Sequence, residues 1–528
     1  MSTRPVSKMY NYTSKKCSYT KCGAGMRELA KPAGIFDRDV EWTELARFAA
    51  DERPGATLGV VSGRRRQGKT LLLYELARAG GGFYFGATEA TAVESLRRLG
   101  EALGNYTGAP GPVHLPDWAA AVDALLALGR DRPVTVVIDE FPYLVRAARD
   151  LPSIIQYALT PGRPERTASR ARLLLCGSAL SFMGGLLAGS APLRGRAGLE
   201  LPVQPLDYRA AAAFWGVDDP LLAVKVFSIV GGTPAYRREY VQDDAPSGPA
   251  DFDAWVVRAV LNPARPLFRE ARYLLAEDPD LRDTALYHSV LAAVAEGNAS
   301  RGGIAGYIGR KATDLQHPLT VLEDAGLLVR EPDLLRSGRS SYRITEPLIS
   351  FYQAVMRPAW TALEQRRGQE VWRRSQRRYA SAVLGPRFEE IVRQWAVRFA
   401  DPDVLGGPVA EVGAATLTDP ASRTSHELDL VAVGEPPMGD GPRPLLAIGE
   451  VKWGRRLGLP DLERLGRLRE LLLQRSGVNA TGTRLLLASA EGFTDELVED
   501  ASARPDVVLV DPGVLYASSA DRTAGWSG

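Results

Sequence analysis

The 528-residue chain carries 65 lysines and arginines against 63 aspartates and glutamates, with 45% hydrophobic and 24% charged residues. That length exceeds one hydrophobic core, so about three or four domains are expected, and the near-neutral balance excludes a global basic field for nucleic acid. Three cysteines (Cys17, Cys22 and Cys176) are too few for a disulfide framework and, lacking a second ligand pair, for a zinc site.

Residues 1–29 read as a disordered extension without a signal-peptide core, with Met26 a candidate start. A cytoplasmic protein with free thiols is the expectation. The run Gly34-Ile35-Phe36-Asp37-Arg38-Asp39-Val40-Glu41 opens a helix with a solvated charge cluster and, by its position, offers an adenine-side contact. Val60 to Leu73 then combines an apolar strand end, the turn Gly63-Arg64-Arg65-Arg66-Gln67-Gly68-Lys69-Thr70 and a helix start, matching GxxxxGK[ST]. Glycines at 63 and 68 let the backbone curl so that its N–H groups converge on phosphate oxygens. Lys69 is read as reaching the β- and γ-phosphates of ATP and Thr70 as a ligand to Mg2+. Gln67 and Leu71 complete the expected contacts.

Past the loop, Phe83–Phe85 reads as a strand and Ala90–Leu103 as a helix. Val134-Thr135-Val136-Val137-Ile138-Asp139-Glu140 is an apolar strand closing on two carboxylates. Such a strand implies a parallel sheet covered on both faces, with ligands at its carboxyl edge, so Asp139 is assigned to Mg2+ and Glu140 to the attacking water. The strand from Arg172 ends at Gly177-Ser178, whose hydroxyl can meet the γ-phosphate or the water. Residues 173–193 carry no charge, but glycines, serines and Pro192 interrupt them, so no transmembrane helix is expected. Arg194 and Arg196 follow, offering guanidinium charge to a transferring phosphoryl group or forming a surface turn. Val230-Gly231-Gly232-Thr233-Pro234 punctuates a helical stretch.

Together and in this order, Phe36/Arg38, the GxxxxGKT loop, the Asp-Glu strand, Gly177-Ser178, the Pro-Leu-x-Gly-Arg run and Gly-Gly-x-Pro resemble the archaeal-type ATPases of the STAND class of AAA-related NTPases, over roughly residues 30–360. The resemblance implies that Pro234, in a helical lid, senses the adenine nucleotide. It also implies a slow switch that assembles with itself when ATP-bound. Arg194 stands where that family has an aromatic residue, so Arg196 is the favoured sensor.

Thr284–Ala295, a helix capped by Ser300, Leu315–Ala325 and two β-like runs around Ser337-Gly338 give a winged helix-turn-helix order. Arg301, Arg310, Lys311, Arg336 and Arg339 are available to phosphates, but the presumed reading helix carries Asp314, Glu323 and Asp324 and no arginine. DNA binding and a structural role stay open here. Residues 357–380 hold seven arginines against two glutamates, read as a solvated face or as a duplex-facing stripe interleaved with Trp360 and Trp372.

The remaining chain reads as αβββαβ with an extra helix-strand pair. Asp429 lies in the strand Glu427–Val433, and Glu450 and Lys452 lie two apart in Leu445–Trp453, hence on one face. If those strands pair, Asp429 and Glu450 share a Mg2+ and Lys452 orients its water or stabilises the phosphate. This Asp…Glu-x-Lys set, with Glu389 on the preceding helix, resembles the restriction-endonuclease-like fold, and more closely the uncharacterised domain fused behind archaeal-type ATPases, over about residues 380–512.

The fold class is therefore α/β: a P-loop parallel sheet (30–205), a helical lid (206–280), a winged helix (281–356), a basic connector (357–380) and a nuclease-like domain (381–528). The function read from it is an ATP-hydrolysing switch coupled to double-stranded DNA and a Mg2+-dependent nuclease-like effector. The alternatives are a DNA-binding regulator with an inactive terminal domain and, disfavoured by Gly-Gly-x-Pro, a replication-initiator-like loader.

Overall fold

The computed structural model describes residues 29–276, 283–419, 422–436, 441–475 and 477–517. Cys17, Cys22, Met26 and the proposed extension before residue 29 lie outside them.

The α/β expectation holds. Five strands, β1 (Thr57–Ser62), β2 (Phe83–Gly86), β3 (Val134–Asp139), β4 (Ala171–Gly177) and β5 (Ala197–Pro202), form one sheet in the order β2-β3-β4-β1-β5, every pairing parallel. β3 and β4 are buried along their whole length, as their unbroken apolar sequence requires. Alternation splits their side chains: Leu173 and Leu175 pack with Val136 on one face, while Leu174 and Cys176 join Val137, Leu72 and Leu76 on the other. The uncharged run after β4 contains a short helix, Leu180–Gly185, where sequence reading placed only a loop.

A helical layer follows, from Tyr208–Trp215 through Pro220–Val230 to Pro266–Ala276. Three helices, Thr284–Ala295, Arg301–Ile308 and Gln316–Asp324, then lead into the antiparallel hairpin of β6 (Leu328–Pro332) and β7 (Ser340–Ile344). Ser300 caps the second of these helices by accepting from the Gly303 N–H. The second sheet runs β12-β11-β10-β9-β8, built from β8 (Val409–Asp419), β9 (Thr424–Gly434), β10 (Leu445–Lys452), β11 (Arg484–Ser489) and β12 (Val507–Val510). β8, β9 and β10 are antiparallel, whereas β10, β11 and β12 are parallel.

The lid and the second sheet share one hydrophobic core. Tyr208, Trp215 and Trp255 of the lid belong to the same packed cluster as Phe388 and Trp395, Leu430 and Ala432 of β9, and Leu515. The Tyr208 hydroxyl donates to the Leu515 carbonyl at 2.7 Å, and the Arg209 guanidinium lies 4.1 Å from the Phe399 ring centroid.

Two segments for which the sequence left alternatives are resolved in part here. The aromatics of the basic connector do not face outward: Trp372 is buried and donates to Asp253 at 2.9 Å, and Trp360 stacks on Phe268 at 4.5 Å. Burying each ring gains more than leaving it to solvent, so a polar face rich in arginine stays exposed, and Arg367, Arg374 and Arg378 are partly neutralised by Glu370 and Glu296. The flank of the β6–β7 hairpin packs on the second sheet, while its tip, Ser337 to Arg339, stays exposed. Leu334 and Leu335 pack against the core of the second sheet, Asp333 accepts from the Thr416 N–H at 3.1 Å, and Arg336 donates to Thr418. No described helix is long and apolar enough to cross a membrane.

Candidate functional site

The loop between β1 and the Lys69–Gly80 helix sits at the carboxyl edge of the first sheet. Gly63 runs against the chain after β5, where a Cβ would come within 2.5 Å of the Val203 carbonyl oxygen, and Gly68 turns at φ 84° into the helix. Only glycine meets both demands without strain. Arg66 takes a left-handed φ of 71° between them, a cost that the surrounding contacts must offset. Lys69 is buried and donates from Nζ to the Arg64 carbonyl at 2.7 Å; burial pulls its ammonium pKa down, and Glu140 and Asp139 act to raise it.

The end of β3 delivers the carboxylates. Asp139 is buried, accepts from the Tyr84 hydroxyl at 2.9 Å and takes the Glu140 backbone N–H on its other oxygen at 2.9 Å. Glu140 has a left-handed φ of 51°, and both its oxygens lie 3.1 Å from the Ser178 hydroxyl at the end of β4. Parallel pairing of β3 with β4 therefore brings three residues distant in sequence onto one edge. Thr70 is exposed on the first turn of the helix, and Leu71 is 52% exposed beside it. A hydroxyl and a carboxylate are hard oxygen donors that suit Mg2+ with a triphosphate. Among the described residues no three His, Cys, Asp or Glu side chains cluster for a metal by themselves.

The other assigned residues divide. Phe36 is 41% exposed with its ring 5.2 Å from that of Phe214. Arg38 is buried, not part of a solvated cluster: it donates to the Gln67 carbonyl at 3.3 Å and to Glu41 at 2.9 Å, bracing the loop from behind. The Gln67 side chain turns away from the loop's mouth and donates to Thr233 at 3.1 Å, which ties the loop to the turn holding Pro234. Arg194 donates to the Gly189 carbonyl at 2.6 Å, and Arg196 makes no side-chain hydrogen bond or ion pair with the described residues.

Sequence reading missed the loop's own arginines. Arg64 pairs with Glu346, 1% exposed, just past the wing; Arg65 donates to Ser178 at 3.2 Å and to Tyr143 at 3.0 Å; Arg66 pairs with Glu270, fully buried in the lid. Their abundance in a turn was visible, but their partners are 78 to 282 positions away at the nearest and farthest named contacts.

The second constellation also assembles. Register sets Gly449 of β10 opposite Leu430 of β9, which brings Asp429 and Glu450 side by side. Lys452 Nζ lies 2.9 Å from Asp429 Oδ2 and 2.9 Å from Glu450 Oε1. Burial lowers the Lys452 pKa, but the two carboxylates outweigh it and the net shift is upward. Glu389, on the Gly385–Arg398 helix, is pushed up to about 7 by burial and by the charge of Asp429. Two further arginines were not foreseen: Arg393 donates to the Asp429 carbonyl at 2.8 Å, and Arg464 pairs with the remaining oxygen of Glu450. One cation already sits between Asp429 and Glu450, so this pair fits a cation of hard-oxygen preference.

The strand order, the glycine-bounded loop and the carboxylate edge define the first unit as a P-loop NTPase fold. No family model matches the chain. It is 25% identical over 313 residues to an uncharacterised protein of Methanocaldococcus jannaschii, across 58% of this chain but only 65% of that protein. Among solved structures, a Walker-type ATPase of Pyrococcus abyssi is 19% identical with a TM-score of 0.46, covering 60% of this chain and 96% of that one. The ORC2 protein of Aeropyrum pernix in ADPNP–ADP complexes is 16% identical, TM-score 0.37, over 66% and 98%. The ORC1 protein of the same organism in complex with DNA is 14% identical, TM-score 0.32, over 63% and 95%. With every one of these scores below 0.5, the fold assignment stands on the chain's own strands and loop.

Proposed function

We propose that the chain is an ATP-hydrolysing switch whose nucleotide state is read by the lid and winged helix and passed to a second, nuclease-like site acting on double-stranded DNA. The observation that carries the first half is the convergence of buried Lys69 and Asp139 with half-buried Glu140 and Ser178 on one sheet edge beside a glycine-bounded loop. In this reading the loop amides and Lys69 grip the triphosphate, Glu140 polarises the attacking water and Ser178 orients it. Mg2+, held by Thr70 and Asp139, supplies charge neutralisation at the β- and γ-phosphates. Phe36, Leu71 and Pro234 border the adenine side. ATP-dependent self-association and a cytoplasmic setting belong to the same proposal.

A run of buried charges supports the coupling. Arg64 pairs with Glu346; Arg387, buried close to Glu346 and Arg64, pairs with Glu390; Glu390 also holds Arg343 at 2.9 Å. Glu390 neighbours Glu389 on one helix, so the phosphate loop and the second site are joined through about one helix turn of paired side chains. In the second site Asp429 and Glu450 would hold Mg2+, which activates water, while Lys452 orients that water and Glu389 manages its proton.

The specific observation favouring the rival reading is that Glu450 is already paired with both Lys452 and Arg464, which suits a domain that grips nucleic acid without cutting it. Two measurements decide. Lys69→Ala should abolish ATP turnover; unchanged turnover rejects the ATPase. Plasmid incubated with Mg2+ and ATP should be cut by the wild type and not by Lys452→Ala. A salt-sensitive mobility shift without cleavage would instead favour the regulator.

A further inference from the structure

The three consecutive arginines of the phosphate loop leave it in three directions. Arg64 and Arg66 run outward to buried glutamates of other units. Arg65 turns along the carboxyl edge of the sheet, donating from Nε to Ser178 Oγ at 3.2 Å and from Nη2 to the Tyr143 hydroxyl at 3.0 Å. Ser178 in turn lies 3.1 Å from both oxygens of Glu140. The two contacts come from different elements and fix the guanidinium plane next to the water-polarising carboxylate. Lys69 feels the same charge, since Arg65 is among the groups acting to lower its pKa after burial. Arg65 thus ends on the same sheet edge, at Ser178 and Tyr143, towards which the glycine-bounded loop opens. By contrast Arg194 is tied to a carbonyl of its own turn, and Arg196 reaches none of these groups.

We propose that Arg65, supplied in cis by the phosphate loop itself, is the arginine that stabilises charge on the transferring phosphoryl group. This rests on the ATP-hydrolysis reading above. In the step, water oxygen bonds to the γ-phosphorus, the bridging P–O bond breaks with its electron pair going to ADP, and the water proton passes by way of Glu140 to the products. Arg65 exchanges no proton. It neutralises negative charge as the phosphoryl group moves between the two oxygens, which a planar fork does better than a point charge. A cis arginine removes the need for one from a neighbouring copy, so turnover should be an intramolecular property.

The test uses the full chain and separates binding from chemistry. Arg65→Ala should lower kcat by about 10³-fold while ATPγS affinity changes by no more than about threefold. It should also lose the tight complex with ADP and aluminium fluoride that the wild type forms, and Arg65→Lys should recover less than about a tenth of the rate. Wild-type turnover per molecule should not change on dilution. Equal losses of ATPγS and fluoroaluminate affinity, or an unaltered kcat, would reduce Arg65 to a brace and overturn the proposal. So would turnover that collapses on dilution. If the wild type binds no ATPγS, it is the nucleotide reading that fails; if it binds ATPγS but traps no fluoroaluminate, the role of Arg65 fails alone. Arg65→Gln, closer in size, guards against a folding defect in the alanine variant.

Discussion

The two constellations gather charge by different means. At the first, the backbone does most of the holding: a glycine-bounded loop, a helix start and one buried lysine make a concavity, and its arginines are spent on buried glutamates elsewhere. At the second, side chains do most of the holding, and Glu389, Asp429 and Glu450 are answered locally by Arg393, Lys452 and Arg464. A site whose charges are balanced within itself can stand independently of its surroundings. A loop whose arginines pair with Glu346 and Glu270 cannot, and under the proposed switch this is where occupancy would be felt at a distance.

The comparison breaks most sharply at Lys69. Lys69→Ala should lower ATP turnover by at least about 10³-fold, read as phosphate release, because its buried ammonium sits against the loop's own Arg64 carbonyl. Lys452→Ala should remove at least about 10²-fold of plasmid cleavage and leave ATP turnover unchanged. If both variants lose both activities, the two sites are a single machine and the contrast dissolves. Glu346→Ala should destabilise the chain by about 3–5 kcal/mol in urea unfolding, since it strands Arg64 in a buried position. An equal loss from Glu450→Ala would contradict the local compensation described for the second site.

The smallest effect concerns pH. The Glu389 carboxyl is raised from 4.5 to about 7, so the folded state retains a proton that the unfolded chain has released. Its penalty is absent below about pH 4.5, grows as pH rises and is complete above about pH 7. Glu389→Gln should therefore stabilise the protein by about 1–2 kcal/mol at pH 8 in the presence of a chelator, discounted because the side chain is one-third exposed, and by nothing at pH 4. Equal stabilisation at both values would remove burial of this carboxyl from the account.

Much of the first site was legible because its parts are local. Glycines five apart, a lysine-threonine pair and an apolar strand closing on two carboxylates each encode their geometry within eight residues. Glu450 and Lys452 were legible on one face for the same reason, the two-residue period of a strand. The packing of Leu334, Leu335, Trp360 and Trp372 was not legible because exposure is not a local property. The flank of a hairpin or an indole is exposed only until another unit covers it.

From residue order alone come the parallel sheet, the loop, the Asp-Glu edge and the mixed terminal unit, since hydrophobic period, glycine and short-range spacing act within a single element. Tertiary structure alone decided where Arg64, Arg65, Arg66, Arg393 and Arg464 point, that the helical layer and the second sheet share a core, and that the flank of the β6–β7 hairpin packs on that sheet. Those outcomes depend on which buried carboxylate or apolar face lies opposite, and a partner hundreds of positions away leaves no mark on the local sequence.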